Sequence, residues 1–195
     1  MKNICVFIFV SGLVCIGQGA KWDGNCLNPP FYDGDCCKEG IFEDDVPTIK
    51  TCAQKFSLTL NANNDVIPTV ANLESYVCFT DCLYVADKYI NNGALDLNFI
   101  KTDVAARAKN FTELGTIYYN AMEKCSKSTD KIAETIKPYP NSDKYLKGKC
   151  SPTAQLIDDC TDIEYFANCP AKYWTPNVPE CDDVKAYAAK CKLLK

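Results

Sequence analysis

Cysteine and carboxylate are the side chains whose number and spacing could do chemistry in this chain, and histidine is absent. Of 14 cysteines, Cys5 and Cys15 lie in an apolar N-terminal run. The other twelve are Cys26, Cys36, Cys37, Cys52, Cys78, Cys82, Cys125, Cys150, Cys160, Cys169, Cys181 and Cys191. Thiolates can attack carbonyls, hold zinc or pair oxidatively. Without imidazole there is no Ser-His or Cys-His couple and no His-bearing metal site, and a thiolate zinc site needs ligands that stay reduced. No catalytic residue, metal ligand or cofactor is assigned. A two-carboxylate hydrolase has raw material in Glu123, Glu134, Asp158, Asp159, Asp162 and Glu164. Asp158, Asp159 and Asp162 fall on what reads as the polar side of a helix, so they are expected to be surface acids. An even number of cysteines in an exported chain points instead to full pairing, potentially six bridges. Neighbouring Cys36 and Cys37 should reach two different partners, because a ring between them would strain the peptide.

Export is read from the N-terminus: Lys2, the run ICVFIFVSGLVCIG, then small residues Gly17 and Gly19. This is the layout of a secretory signal peptide over residues 1–19, with cleavage after Gly19. The run is short of the roughly 20 apolar residues a spanning helix needs, and no later segment qualifies, so no membrane span is expected. The remaining residues 20–195 have the length of one domain, with a sizeable core available without bridges. Loss of Lys2 leaves 20 basic against 25 acidic side chains, a net charge of −5. Charges of both signs are interspersed, which argues against nucleic acid or an anionic membrane as partner.

The elements that must position the cysteines read as helices. Residues 20–47 form an irregular arm rich in Gly, Pro, Asn and Asp around three cysteines. A first helix is expected over Thr48 to Ser57. Residues 70–91 carry the strongest apolar periodicity, through Tyr76, Phe79, Leu83, Ala86 and Ile90 with an adjoining stripe of Cys78, Cys82, Val85 and Tyr89. A helix apolar over most of its circumference belongs at the centre of a domain, and Asn91-Asn92-Gly93 should end it. Further helices are expected over 95–109, 111–127 and 131–137. A loop then runs through Pro138 and Pro140 to Cys150. Ser151-Pro152 starts the next helix with a capping hydroxyl and a first-turn proline, and that helix stops before Cys169-Pro170. A last helix covers about 180–192. Strand patterns are nearly absent. The fold class is all-α, a disulfide-braced bundle of six to eight helices.

Cys52, Cys78-x3-Cys82, Cys125 and Cys160-x8-Cys169 resemble the six-cysteine core of insect odorant-binding proteins. The extra Cys150, Cys181 and Cys191, with Pro170 directly after Cys169, are similar to the Plus-C subgroup. The likeness covers roughly residues 48–191, with 48–169 as the six-cysteine core and 170–195 as a C-terminal extension. It implies bridges from first to third, second to fifth and fourth to sixth cysteine, here Cys52–Cys82, Cys78–Cys160 and Cys125–Cys169. One helical turn between Cys78 and Cys82 lets each tie the same helix to a different neighbour. The pairing of the other six cysteines stays open.

The resemblance also implies a secreted carrier that binds small hydrophobic odorants or pheromone-like molecules in an internal cavity and delivers them to chemosensory receptors. Phe79, Leu83, Ile90, Phe99, Tyr118, Met122 and Phe166 are the candidate lining, with Tyr84, Tyr89 or Tyr118 able to orient a polar head. Burial contributes about 0.8 kcal/mol per CH2, so about ten such groups reach the micromolar range without a special polar constellation. Proton-driven release, if used, must rest on carboxylates in their ordinary acidic range, since there is no imidazole. Asn110-Phe111-Thr112 is an N-glycosylation sequon, expected near a helix. A different class of function uses the same scaffold: a secreted effector whose arm and Pro-rich crossing, with Tyr173 and Trp174, bind a protein target. The sequence does not fix the oligomeric state.

Overall fold

A computed structural model of the chain describes residues 36–37, 45–61, 64, 66, 71–139 and 141–190. The expected leader, most of the arm, Cys26 and Cys191 lie outside them. Eight helices and one two-stranded hairpin follow in order: α1 Val46–Lys55, α2 Leu73–Ala86, β1 Ile90–Asn91, β2 Ala94–Leu95, α3 Leu97–Arg107, α4 Thr112–Ser126, α5 Thr129–Ile136, α6 Ser142–Leu146, α7 Thr153–Ala167 and α8 Pro179–Lys190. The bundle is all-α, as the periodicity implies.

Local signals explain several boundaries. Pro47 stands in the first turn of α1, where its missing N–H is no loss. Asp96 caps α3 by accepting from the Phe99 N–H at 2.9 Å. Ser151 Oγ accepts from the Thr153 N–H at 3.3 Å at the head of α7. The helix over 70–91 is shorter than its periodicity suggests. It closes at Lys88, which takes φ +63°, while Tyr89 N–H donates to Tyr84 O at 2.8 Å and Lys88 N–H to Val85 O at 3.1 Å. That pair of bonds satisfies the last carbonyls and turns the chain out of the helix. Asn92-Gly93, at φ +51° and +79°, is the turn of the hairpin rather than the helix stop. Ile90 therefore stands on a strand, paired with Leu95. Helix α6 has no counterpart in the sequence reading: five residues between proline breaks carry too little period to register, and its place depends on tertiary bonds.

The centre of the bundle also differs. It is α7, not α2, that packs against four neighbours, most extensively α4, then α2, α8 and α5. Ten α7 residues are buried, distributed all around the helix. Helix α2 lies against α1, α6 and α7 and turns Val85 to solvent at 53% exposure. Apolar side chains form two clusters. The larger gathers α3, α4, α5, α7, α8 and one face of α2. The smaller lies between α1 and the opposite face of α2, around Cys52, Ala53, Leu58 and Phe79. At the α3–α4 corner a Cβ on Gly115 would stand 2.5 Å from that of Ala108, so only glycine permits this approach.

Five bridges join described residues: Cys36–Cys181, Cys37–Cys169, Cys52–Cys82, Cys78–Cys150 and Cys125–Cys160. Cys52–Cys82 is as expected, and adjacent Cys36 and Cys37 do reach two partners. Cys78–Cys160 and Cys125–Cys169 are corrected. The first-to-third, second-to-fifth, fourth-to-sixth order holds, but the fifth and sixth cysteines are Cys150 and Cys160. The reason is helical rise. Cys150 precedes α7 beside α2, where Lys149 N–H donates to Glu74 at 2.9 Å. Cys160 lies seven residues past the start of α7, about 10 Å further along at 1.5 Å per residue, opposite Cys125 of α4. Cys169 lies beyond the helix end and receives the arm.

Candidate functional site

The interior surface of α7 is built of hydroxyls and carboxylates as well as hydrocarbon. Tyr84 of α2 donates to Asp158 Oδ1 at 3.0 Å. Tyr145 of α6 donates to Asp159 Oδ2, and Gln155 Nε2 donates to Asp159 Oδ1 at 3.0 Å. Thr80 of α2 completes the chain with a bond to Gln155 Oε1 at 2.5 Å. Three helices are thus pinned through one polar seam. Burial, then the neighbouring Asp158 and Asp159 carboxylates, hold the Tyr84 and Tyr145 hydroxyls well above the usual phenol range, so both remain donors.

The Asp159 carboxyl is pushed up to about 7. Burial is the main cause, with Asp158 adding to it and the Tyr145 and Gln155 hydrogen bonds opposing. This places a titration above the ordinary aspartate range, higher than the acidic window expected for a carboxylate proton sensor. Asp159 as a residue is partly buried, and its carboxylate is held by Tyr145 and Gln155.

Asp158 and Asp159 are therefore corrected from surface acids to interior groups. One signal in the sequence marks this: residues 153–167 contain no lysine or arginine, in a chain with 21. A solvated helix face usually carries some. The remaining carboxylates of the hydrolase reading are dispersed. Glu123 pairs with Lys127 at 2.9 Å, Glu134 with Lys137 at 3.0 Å, and buried Glu164 with Lys124 at 2.7 Å.

The seven apolar candidates do not converge on one spot. Met122 and Phe166 are buried in the larger cluster, with Ile90 and Tyr118 packed against it. Phe79 and Leu83 belong to the smaller cluster across α2, where Phe79 stacks on Tyr76 at 6.0 Å between centroids. Phe99 is 37% exposed and touches Tyr89 edge-on at 6.3 Å. Of the three hydroxyls, Tyr89 is occupied by Asp103 at 2.7 Å and Tyr84 by Asp158. An aromatic row unmarked by periodicity runs Tyr118–Tyr165–Phe166–Trp174, with centroids 5.9, 5.8 and 6.4 Å apart. Trp174 comes from the Pro-rich crossing, which an isolated sequence pattern could not place against α7.

Asn110 is exposed in the turn between α3 and α4, with Thr112 exposed at the first position of α4. Phe111 between them packs edge-on to Tyr173 at 6.2 Å. Among the described residues no group of three or more acidic or cysteine side chains could hold a metal ion, and no helix is long and apolar enough to cross a membrane.

Comparison with known proteins gives the following. The family model described as AgamOBP47-like matches residues 42–187. Odorant-binding protein 47 of Anopheles gambiae is 28% identical over 120 residues, which are 60% of this chain and 52% of that protein. The chain thus spans about half the length of the curated relative it matches. No solved structure matches.

Proposed function

The chain belongs to the AgamOBP47-like family of odorant-binding proteins, and from that premise we propose that it is a secreted carrier of small, largely apolar semiochemicals. It takes them into the space around α7 and delivers them toward chemosensory receptors. The observation that carries the reading is the construction around α7. Helices fastened by disulfide bridges cannot collapse freely onto one another, and Asp159 on α7 within that frame is only partly buried. The half-buried Ile90, Leu95, Ile117, Tyr118 and Tyr139 rim the sealed core and offer apolar wall to a guest, as pocket linings do. Buried Met122 adds an adaptable side chain behind them.

Secretion fits the five bridges, which persist in oxidising compartments. Occupancy is tested with delipidated, fully oxidised protein and N-phenyl-1-naphthylamine. Saturable binding and displacement by long-chain alcohols or aldehydes are expected. Absence of saturable uptake overturns the proposal.

A further inference from the structure

Trp174 carries a buried hydrogen-bond donor with no acceptor: its Nε1 is sealed from solvent and unpartnered among the described residues. Leaving such a donor unmet is costly, and buried indole N–H groups usually find a partner. Nor is this ring loosely placed. The backbone of Trp174 forms a bridge with Cys37, its backbone N–H donates to Ala171 O at 3.3 Å, and the backbone N–H of the next residue, Thr175, donates to Cys36 O at 3.0 Å. Cys36 and Cys37 are themselves bonded to Cys181 and Cys169. The ring meets Phe166 edge-on at 6.4 Å, and the Lys185 ammonium stands 4.6 Å from its centroid. Two disulfides and a backbone bridge thus fix the backbone that carries the indole, and the ring packs against Phe166 and the Lys185 ammonium.

We propose that the Trp174 indole N–H is the anchor for a ligand bearing one acceptor oxygen, a ketone, aldehyde, ester or ether, on an otherwise apolar body. The body lies against the ring row of Phe166, Tyr165 and Tyr118, and the oxygen accepts from Nε1. This deepens the carrier reading and rests on it. It also assigns a role to the Pro-rich crossing, which brings a buried donor to the end of the ring row. A pure hydrocarbon gains the apolar contacts but leaves the donor unmet, so the site distinguishes oxygenated from hydrocarbon guests of equal length.

The test uses oxidised full-length mature protein labelled with 15N-tryptophan, titrated with undecan-2-one and with undecane. The Trp174 indole resonance is identified by its loss in Trp174→Phe, which keeps an aromatic ring and removes the donor. The ketone is expected to move the Trp174 indole proton downfield, and undecane to leave it near its free position. In probe displacement, Trp174→Phe should weaken the ketone about tenfold more than it weakens undecane, the scale of one hydrogen bond to a buried donor. A ketone that binds the wild type without moving this resonance overturns the inference even if the variant misfolds, and so does equal weakening of both ligands. In either case carriage itself stands. If neither ligand binds the wild type, the carrier reading fails and the anchor with it.

Discussion

Helices α2 and α7 invite comparison because their sequences suggest the reverse of their positions. Helix α2 (LESYVCFTDCLYVA) is the more apolar and has the mark of a central element, yet it packs to one side and exposes Val85. Helix α7 (TAQLIDDCTDIEYFA) carries six polar or acidic residues from Gln155 to Glu164 and is enclosed all round. Apolarity measures the free energy of leaving water; it does not say which helix has the most neighbours. A polar helix can occupy the middle when neighbours supply partners, because a buried polar group is costly only when it is unmet. Tyr84, Tyr145, Thr80 and Lys124 supply them here. The difference teaches that the centre of this bundle is set by hydrogen bonding and crosslinks as much as by hydrophobicity.

The largest expected effect separates the two helices by their bridges. Cys125–Cys160 and Cys52–Cys82 close loops of similar sequence separation, 35 and 30 residues, so the chain-entropy contribution is about 4 kcal/mol for each. Replacing both cysteines of either pair by alanine should lower stability by about that amount. Amide exchange protection in α7 should fall when Cys125–Cys160 is removed and persist when Cys52–Cys82 is. Equal loss of protection in the two variants would erase the distinction between centre and flank.

Next in size is the polar seam. Tyr145→Phe removes the donor to Asp159 and should cost about 1–3 kcal/mol in urea unfolding. An unchanged midpoint would mean that the seam does not hold α6 to α7.

The same seam has a pH signature. An unfolded aspartate titrates near 3.9, and Asp159 in the folded chain near 7. Between those values the folded protein keeps a proton that the unfolded chain releases. Stability from this group is fully present below about 4 and is lost as pH rises through 7. Asp158, Tyr145, Gln155 and nearby Tyr187 face it, and the partly buried Asp81 and Asp87 are raised by burial as well. The contrast between wild type and Asp159→Asn therefore isolates its share. The wild-type Tm should fall more steeply than the variant's between pH 4.5 and 7.5; parallel curves would remove Asp159 as a proton sensor.

On the flank, Val85→Ala should change stability by less than about 0.5 kcal/mol, the usual range for an exposed position. A larger loss would mean that this face of α2 is covered in solution. The smallest effect belongs to the α3–α4 turn, remote from the comparison. Asn110 and Thr112 are exposed there, so protein secreted from insect cells should carry a glycan that peptide-N-glycosidase A removes and that Asn110→Gln prevents, with little change in Tm. Identical masses for wild type and variant would refute it.

Composition and periodicity are enough to establish an all-helical chain, and the order of its cysteines points to the family. Local chemistry legible in a few residues does the same for the helix start at Ser151, because a cap depends only on its neighbours in the chain. Which cysteine is fifth was not legible, since Cys150, Cys160 and Cys169 stand before, within and after one helix and only the packing of α7 against α2 and α4 decides among them. For the same reason Asp159 reads as a surface acid, and Trp174 as part of a crossing that could meet a protein target. A residue's own type sets what it can donate, accept or bury, but whether it meets water, a tyrosine or nothing at all depends on groups far away in sequence, and only the tertiary structure brings those within reach.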